Sequence, residues 1–167
     1  MLNYLFGALT AQPAQGAPLF SAITHIARRP DWYVAGEVPD TLDGRFAMVA
    51  TITALTMIRL EALGEAGNRL SVALTERFVA VMESEHRELG IGDPTLGKTV
   101  RKLVGGLARR VDMWRAAVAG ERDWADAASD SLPVAAAGAA HCAAALKSWW
   151  AEVGSVSLED LAEGRIA

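Results

Sequence analysis

The first residues that could do chemistry are Gly92-Asp93-Pro94-Thr95-Leu96-Gly97-Lys98-Thr99, which match the phosphate-loop pattern GxxxxGK[ST] letter for letter. That pattern curls backbone N–H groups round phosphates, with the lysine reaching outward and the hydroxyl on magnesium. It needs a buried strand immediately before the loop. Here the preceding stretch, RFVAVMESEHRELGI, has the spacing of an amphipathic helix, and no apolar run ending in aspartate supplies a magnesium-holding partner. Pro94 also removes one N–H from any cradle. The stretch therefore reads as a bend between two helices, with Gly90 and Gly92 for positive φ and Asp93 as a cap. A small NTPase using residues 92–99 stands as the alternative function.

The second cluster is basic. Lys98, Arg101, Lys102, Arg109 and Arg110 fall before the next acid, Asp112. Lys98, Lys102 and Arg109 share a helical face opposite the Leu103/Leu107/Trp114 stripe, so they would meet solvent or an anionic partner such as an acidic protein, a lipid headgroup or ribosomal RNA. Other groups offer less. Asp40 and Asp43 have the spacing of a helix start as much as of an acid–base pair. His25, His86 and His141 are scattered, and no His/Cys spacing suits a metal. Cys142 stands alone, which fits a reducing compartment. No Ser/His/Asp arrangement, HExxH or CxxC is present, and neither catalytic residue nor cofactor is expected.

The elements that must position these residues are helical. Val38 to Leu63 organises the chain: a Pro39 turn, capping at Asp40 or Asp43, then a segment without charge from Phe46 to Ile58. Those 13 residues fall short of the roughly 20 needed to cross a bilayer. Apolar nearly all round, the segment about 41–63 is expected as a central buried helix. Helical spacing also marks 19–29, closed by Pro30, then 70–89 after a loop at 64–68, and 98–118 up to Gly120. The adjacent Gly105-Gly106 inside the last of these implies a close neighbour, either a helix of this chain or a partner. A short segment with Trp124, a long alanine-rich helix over 134–152 and a capped turn at Ser157–Asp160 complete an all-α, single-domain bundle of about six to seven helices. Trp32 and Tyr33 are expected over the end of the central helix.

The first 27 residues carry no Asp, Glu, Lys or Arg. Residues 1–17 read as an N-terminal helix (1–9) and a Pro-marked linker (12–18), ahead of one helical domain over 18–167. Nothing there resembles a signal peptide. A contact with a membrane surface through Leu2, Tyr4, Leu5 and Phe6, as in a membrane-surface structural protein, is a further alternative. The net charge of −4 is uneven: past residue 120 there are 3 basic and 8 acidic side chains, a solvated face or a surface for a basic partner.

Three blocks in order, Arg29-Pro30-Asp31-Trp32-Tyr33, Val38-Pro39-Asp40-Thr41-Leu42-Asp43-Gly44-Arg45-Phe46-Ala47-Met48 and Arg87-Glu88-Leu89-Gly90-Ile91-Gly92-Asp93, closed by Gly97-Lys98, resemble the ubiquinol–cytochrome c chaperone family. The resemblance covers roughly Leu19 to Val118. It implies an all-helical, non-enzymatic assembly chaperone for cytochrome b of the bc1 complex, without cofactor or metal. It implies cytochrome b, nascent or newly inserted, as partner, with the ribosome or an anionic membrane surface as platform, a small helical partner protein and no DNA. A short chain of this kind looks like the bacterial form, placed in the cytoplasm or at the inner face of the inner membrane. The expected partner surface comprises Lys98, Arg101, Lys102, Arg109 and Arg110 with Trp32, Tyr33 and Arg45.

Overall fold

A computed structural model describes residues 13–88 and 93–166. Among them are eight helices and no strand: α1 (Pro13–Ala27), α2 (Pro30–Val34), α3 (Leu42–Glu61), α4 (Gly64–Glu88), α5 (Asp93–Val118), α6 (Trp124–Ser131), α7 (Ala136–Val153) and α8 (Leu158–Ala162). The helix expected at 1–9, with its membrane-surface contact, lies outside the described residues, as does Gly90. The expected all-α bundle is the fold, with the short α2 as the addition and α8 as the expected capped turn.

Helix α3 is the axis. Its residues from Ala47 to Thr56 are all buried, including Thr51, Thr53 and Thr56. α1, α4 and α5 pack along it, and α7 touches it from the remaining side. Three buried threonines are tolerable because two hydroxyls have partners: Thr56 Oγ1 donates to Ile52 O at 2.8 Å, and Thr51 Oγ1 meets Ser131 Oγ at 2.6 Å. Trp114 Nε1 donates to the same Ser131 oxygen at 3.2 Å, so one serine ties α6 to both α3 and α5. At the other end, Arg59 donates to Val153 O and Val156 O, tying the end of α7 and the turn after it to α3.

Several boundaries differ from expectation for physical reasons. The linker expected at 12–18 is, from Pro13 on, the beginning of α1. Pro13 occupies the first helical position, where its missing N–H costs nothing, and Gly16 lets α1 lie directly on α4: a Cβ there would come within 2.5 Å of Ala73 O. The loop expected at 64–68 shrinks to Ala62-Leu63, because Gly64 turns the chain with φ +76° and the next residues are already helical. Helix α5 starts at Asp93, not near Lys98, since Pro94 in a first turn forfeits no hydrogen bond.

The start of α3 is capped by Thr41, whose Oγ1 accepts from Gly44 N at 3.2 Å, rather than by either neighbouring aspartate. Trp32 and Tyr33 close α1, and Tyr33 also lies beside the start of the central helix. Trp32 Nε1 donates to Ile26 O and Tyr33 Oη to Ala27 O, each at 2.7 Å. Gly120, with φ +79°, ends α5 as expected. Ser157 caps α8 by accepting from Asp160 N at 3.1 Å.

Candidate partner-binding saddle

Helices α1, α3, α4 and α5 leave two clefts on one side of the molecule, separated by a shared apolar ridge of Leu42, Phe46 and Met82. Leu42 is 56% exposed in the first turn of α3, an unusual place for a leucine. Phe46 is held from below by Phe78, ring centroids 6.0 Å apart, and Phe78 in turn meets Phe20 edge-on at 6.3 Å. These aromatic contacts fix the ridge to the core of the bundle.

The first cleft, about 550 Å³, runs between α1, the start of α3 and the end of α4, with Arg28, Tyr33 and Arg45 on its rim. Arg45 Nε donates to Asp40 Oδ1 at 2.6 Å, across the cap of α3. That hydrogen bond holds the Asp40 carboxyl below its ordinary range, so Asp40 is a fixed anion, unsuited to general acid work. Burial pushes the Tyr33 hydroxyl upward.

The second cleft, about 660 Å³, lies between α5 and the α3–α4 wall. Its α5 side carries Lys102, Arg109 and Arg110 with Leu103, Gly105 and Gly106; its other side adds Asp43 and Glu85 to the ridge. Arg110 is half-buried, its guanidinium carbon 5.9 Å from the centre of the Phe46 ring. It donates to Gly106 O at 3.3 Å and Ser131 O at 3.1 Å, while its buried Nε meets no acceptor. Among the described residues no carboxylate pairs with it. Burial, then the neighbouring Arg109, lower its pKa, as for a cation short of counter-charge.

The residues singled out in the sequence thus separate. Lys102, Arg109 and Arg110 gather in the second cleft, and Tyr33 and Arg45 in the first. Lys98 and Arg101 are exposed on α5 outside both. Trp32 is 3% exposed and belongs to the interior. The sequence reasoning missed Leu42 as a surface residue, and missed Arg28 and Glu85. Phe46 was read only as core but is half-buried at the ridge, while Met82, 5% exposed, is core as read. The available signal was an apolar residue lodged between Thr41 and Asp43 at a helix start, where a polar one is expected.

The phosphate-loop match does not form a loop where it is described: residues 93–99 are the first turns of α5, and no strand precedes them among the described residues. His141 and Cys142 point apart. His141 Nε2 meets Asp31 Oδ2 at 2.9 Å, whereas Cys142 is buried with Sγ 3.6 Å from Gly36 O.

Residues 35–147 match a model of the family described as ubiquinol-cytochrome C chaperone. The chain belongs to that family. The matched segment contains all of α3, α4 and α5, hence the ridge and the whole second cleft. Among solved structures, the crystal structure of the Cbp3 homolog from Brucella abortus is similar over the full length of this chain and 96% of its own, with 27% identity and a TM-score of 0.80. Comparison with curated protein sequences finds no significant match. No helix among the described residues is long and apolar enough to cross a membrane.

Proposed function

We propose that the protein is a non-enzymatic assembly chaperone that holds cytochrome b, newly made or newly inserted, for the ubiquinol–cytochrome c reductase (bc1) complex. The observation that carries this reading is the coincidence of the family-matched segment with an apolar ridge, exposed at Leu42 and half-exposed at Phe46, between clefts lined by Arg28, Arg45, Lys102 and Arg109. A ridge of this kind offers a client apolar contact without enclosing it, and the surrounding cations orient the approach. Lys98 and Arg101, exposed on α5 beyond the clefts, suit an anionic platform, ribosome or lipid surface, on the inner side of the membrane. A small helical partner protein completes the set of expected companions.

The test is deletion of the gene, with assembled bc1 complex and free cytochrome b measured side by side. Loss of the complex, restored by the intact gene, is the expected result. A normal level of assembled complex in the deletion strain overturns the proposal.

A further inference from the structure

Gly105 and Gly106 sit inside the 26-residue α5, where each glycine is unfavourable relative to alanine. The implied close neighbour is not among the described helices of this chain. A Cβ built on Gly105 meets nothing within 4 Å, and one on Gly106 meets only the Arg110 side chain at 3.7 Å. Both glycines line the second cleft. No described residue accounts for them, and the face they line is open. Small residues on a helix face allow a second helix backbone to come close.

The cleft also has a charge pattern. Its α5 wall is cationic through Lys102, Arg109 and Arg110, and its α3–α4 wall carries Asp43 and Glu85. Arg110, half-buried and lining the cleft, donates to the Gly106 and Ser131 carbonyls but has no carboxylate partner among the described residues. Unpaired buried charge is costly, and a carboxylate brought from outside relieves it. The α5 wall from Thr99 to Arg110 is about 17 Å long, the length of three helical turns.

We propose that this cleft seats an amphipathic helix of a partner protein, its apolar stripe on Leu42, Phe46 and Leu103, its backbone close to Gly105-Gly106, and carboxylates along one flank pairing with Arg110, Arg109 and Lys102. The inference rests on the chaperone reading only for the class of partner. The opposite flank, facing Asp43 and Glu85, carries bases or neutral groups. The opposed walls fix the direction in which the helix lies.

The full-length protein is titrated, by fluorescence anisotropy, with a stapled helical peptide of about five turns that has a leucine stripe and glutamates on one flank. Twins with glutamine or lysine on that flank are run beside it. The glutamate peptide is expected to bind about tenfold more tightly than the glutamine twin, and Lys102→Glu with Arg109→Glu is expected to reverse the order so that the lysine peptide binds best. Both positions are exposed, so the fold is retained. Gly105→Gln, which fills open space, is expected to weaken the glutamate peptide while leaving the melting temperature equal or higher. Equal binding of the three peptides, an unchanged order in the double variant, or full affinity in Gly105→Gln overturns the proposal. Binding to phosphatidylserine vesicles that the same double variant abolishes, without any peptide preference, also overturns it and assigns the wall to lipid. Peptide selectivity with normal bc1 complex in the deletion strain sinks the chaperone reading alone. A lost complex without selectivity sinks this one alone.

Discussion

At Gly44 a single methyl group decides whether the Pro39 turn can close. The carbonyl of Pro39 lies where a Cβ would be, so that nearest contact is backbone and cannot swing aside. Gly44→Ala is expected to cost about 2–3 kcal/mol, because a rigid clash in a tight turn is a form of overpacking. The melting temperature should fall by about 5–10 °C for a chain of this size. A thermal melt within about 1 °C of wild type would show that the turn relaxes freely. Cys142 supplies a second prediction at this scale. Burial, and then the nearby Asp31, push its thiol from 9.0 up to about 11. A raised thiol pKa means that its contribution to stability is complete below pH about 9 and is lost as the pH climbs toward 11. Cys142→Ala should flatten the decline in stability between pH 9 and 11. A thiol reagent at pH 8 should label the native protein only as fast as it unfolds; prompt labelling in buffer contradicts the buried geometry.

Among the elements, the α3–α5–α6 junction turns on one hydroxyl. Ser131→Ala leaves Thr51 Oγ1 and Trp114 Nε1 buried without their partner, while the Arg110 contact survives because it uses the Ser131 carbonyl. The expected cost is about 1–3 kcal/mol, read as a lower urea midpoint. Adding Thr51→Val should recover part of it, since removing both polar partners is cheaper than orphaning one. No recovery in the double variant would place the energy elsewhere. This junction also marks what the sequence could and could not tell. Periodicity located α3, most of α4, α5 and α7, because an apolar stripe is written in consecutive residues. It could not pair Thr51 with Ser131, 80 residues apart, nor see that α1 continues back through Pro18, because tertiary contact at Gly16 overrides a local helix breaker. Of the site, the basic residues of α5 were visible as a run of one charge. The ridge was not, since Phe46 has the same spacing as core residues such as Met82 and only the packed helices reveal which edge of the stripe is left open. The glycine pair was legible as a close-approach signal, but its direction was not: outward could be told from inward only once α5 was placed.

For the whole molecule the decisive feature is that its cations are used in two ways. Arg45, Arg69, Arg115, Arg122 and Arg165 are engaged in ion pairs within the chain, and Arg59 in backbone contacts. Among the described residues, no carboxylate pairs with Lys98, Arg101, Lys102 or Arg109. Four exposed, uncompensated charges on one helix create a field that attracts an anionic surface and that salt screens over about 8 Å at physiological ionic strength. Reversing all four to glutamate should therefore leave the melting temperature close to wild type, since surface charges of this kind contribute little to stability. Under the proposed function it also weakens binding to ribosomes or anionic membranes and lowers the yield of cytochrome b in cells. Arg115→Glu is the control: Arg115 already sits between Glu61 and Asp112, 2.9 and 2.8 Å away, and adds little to the outward field. Dividing the four separates the two roles. Lys98→Glu with Arg101→Glu touches only the face proposed for the platform, whereas Lys102→Glu with Arg109→Glu touches the cleft as well. If the fourfold variant folds and both the pulldown and the cytochrome b yield match wild type, the basic face of α5 has no part in the work of the chaperone.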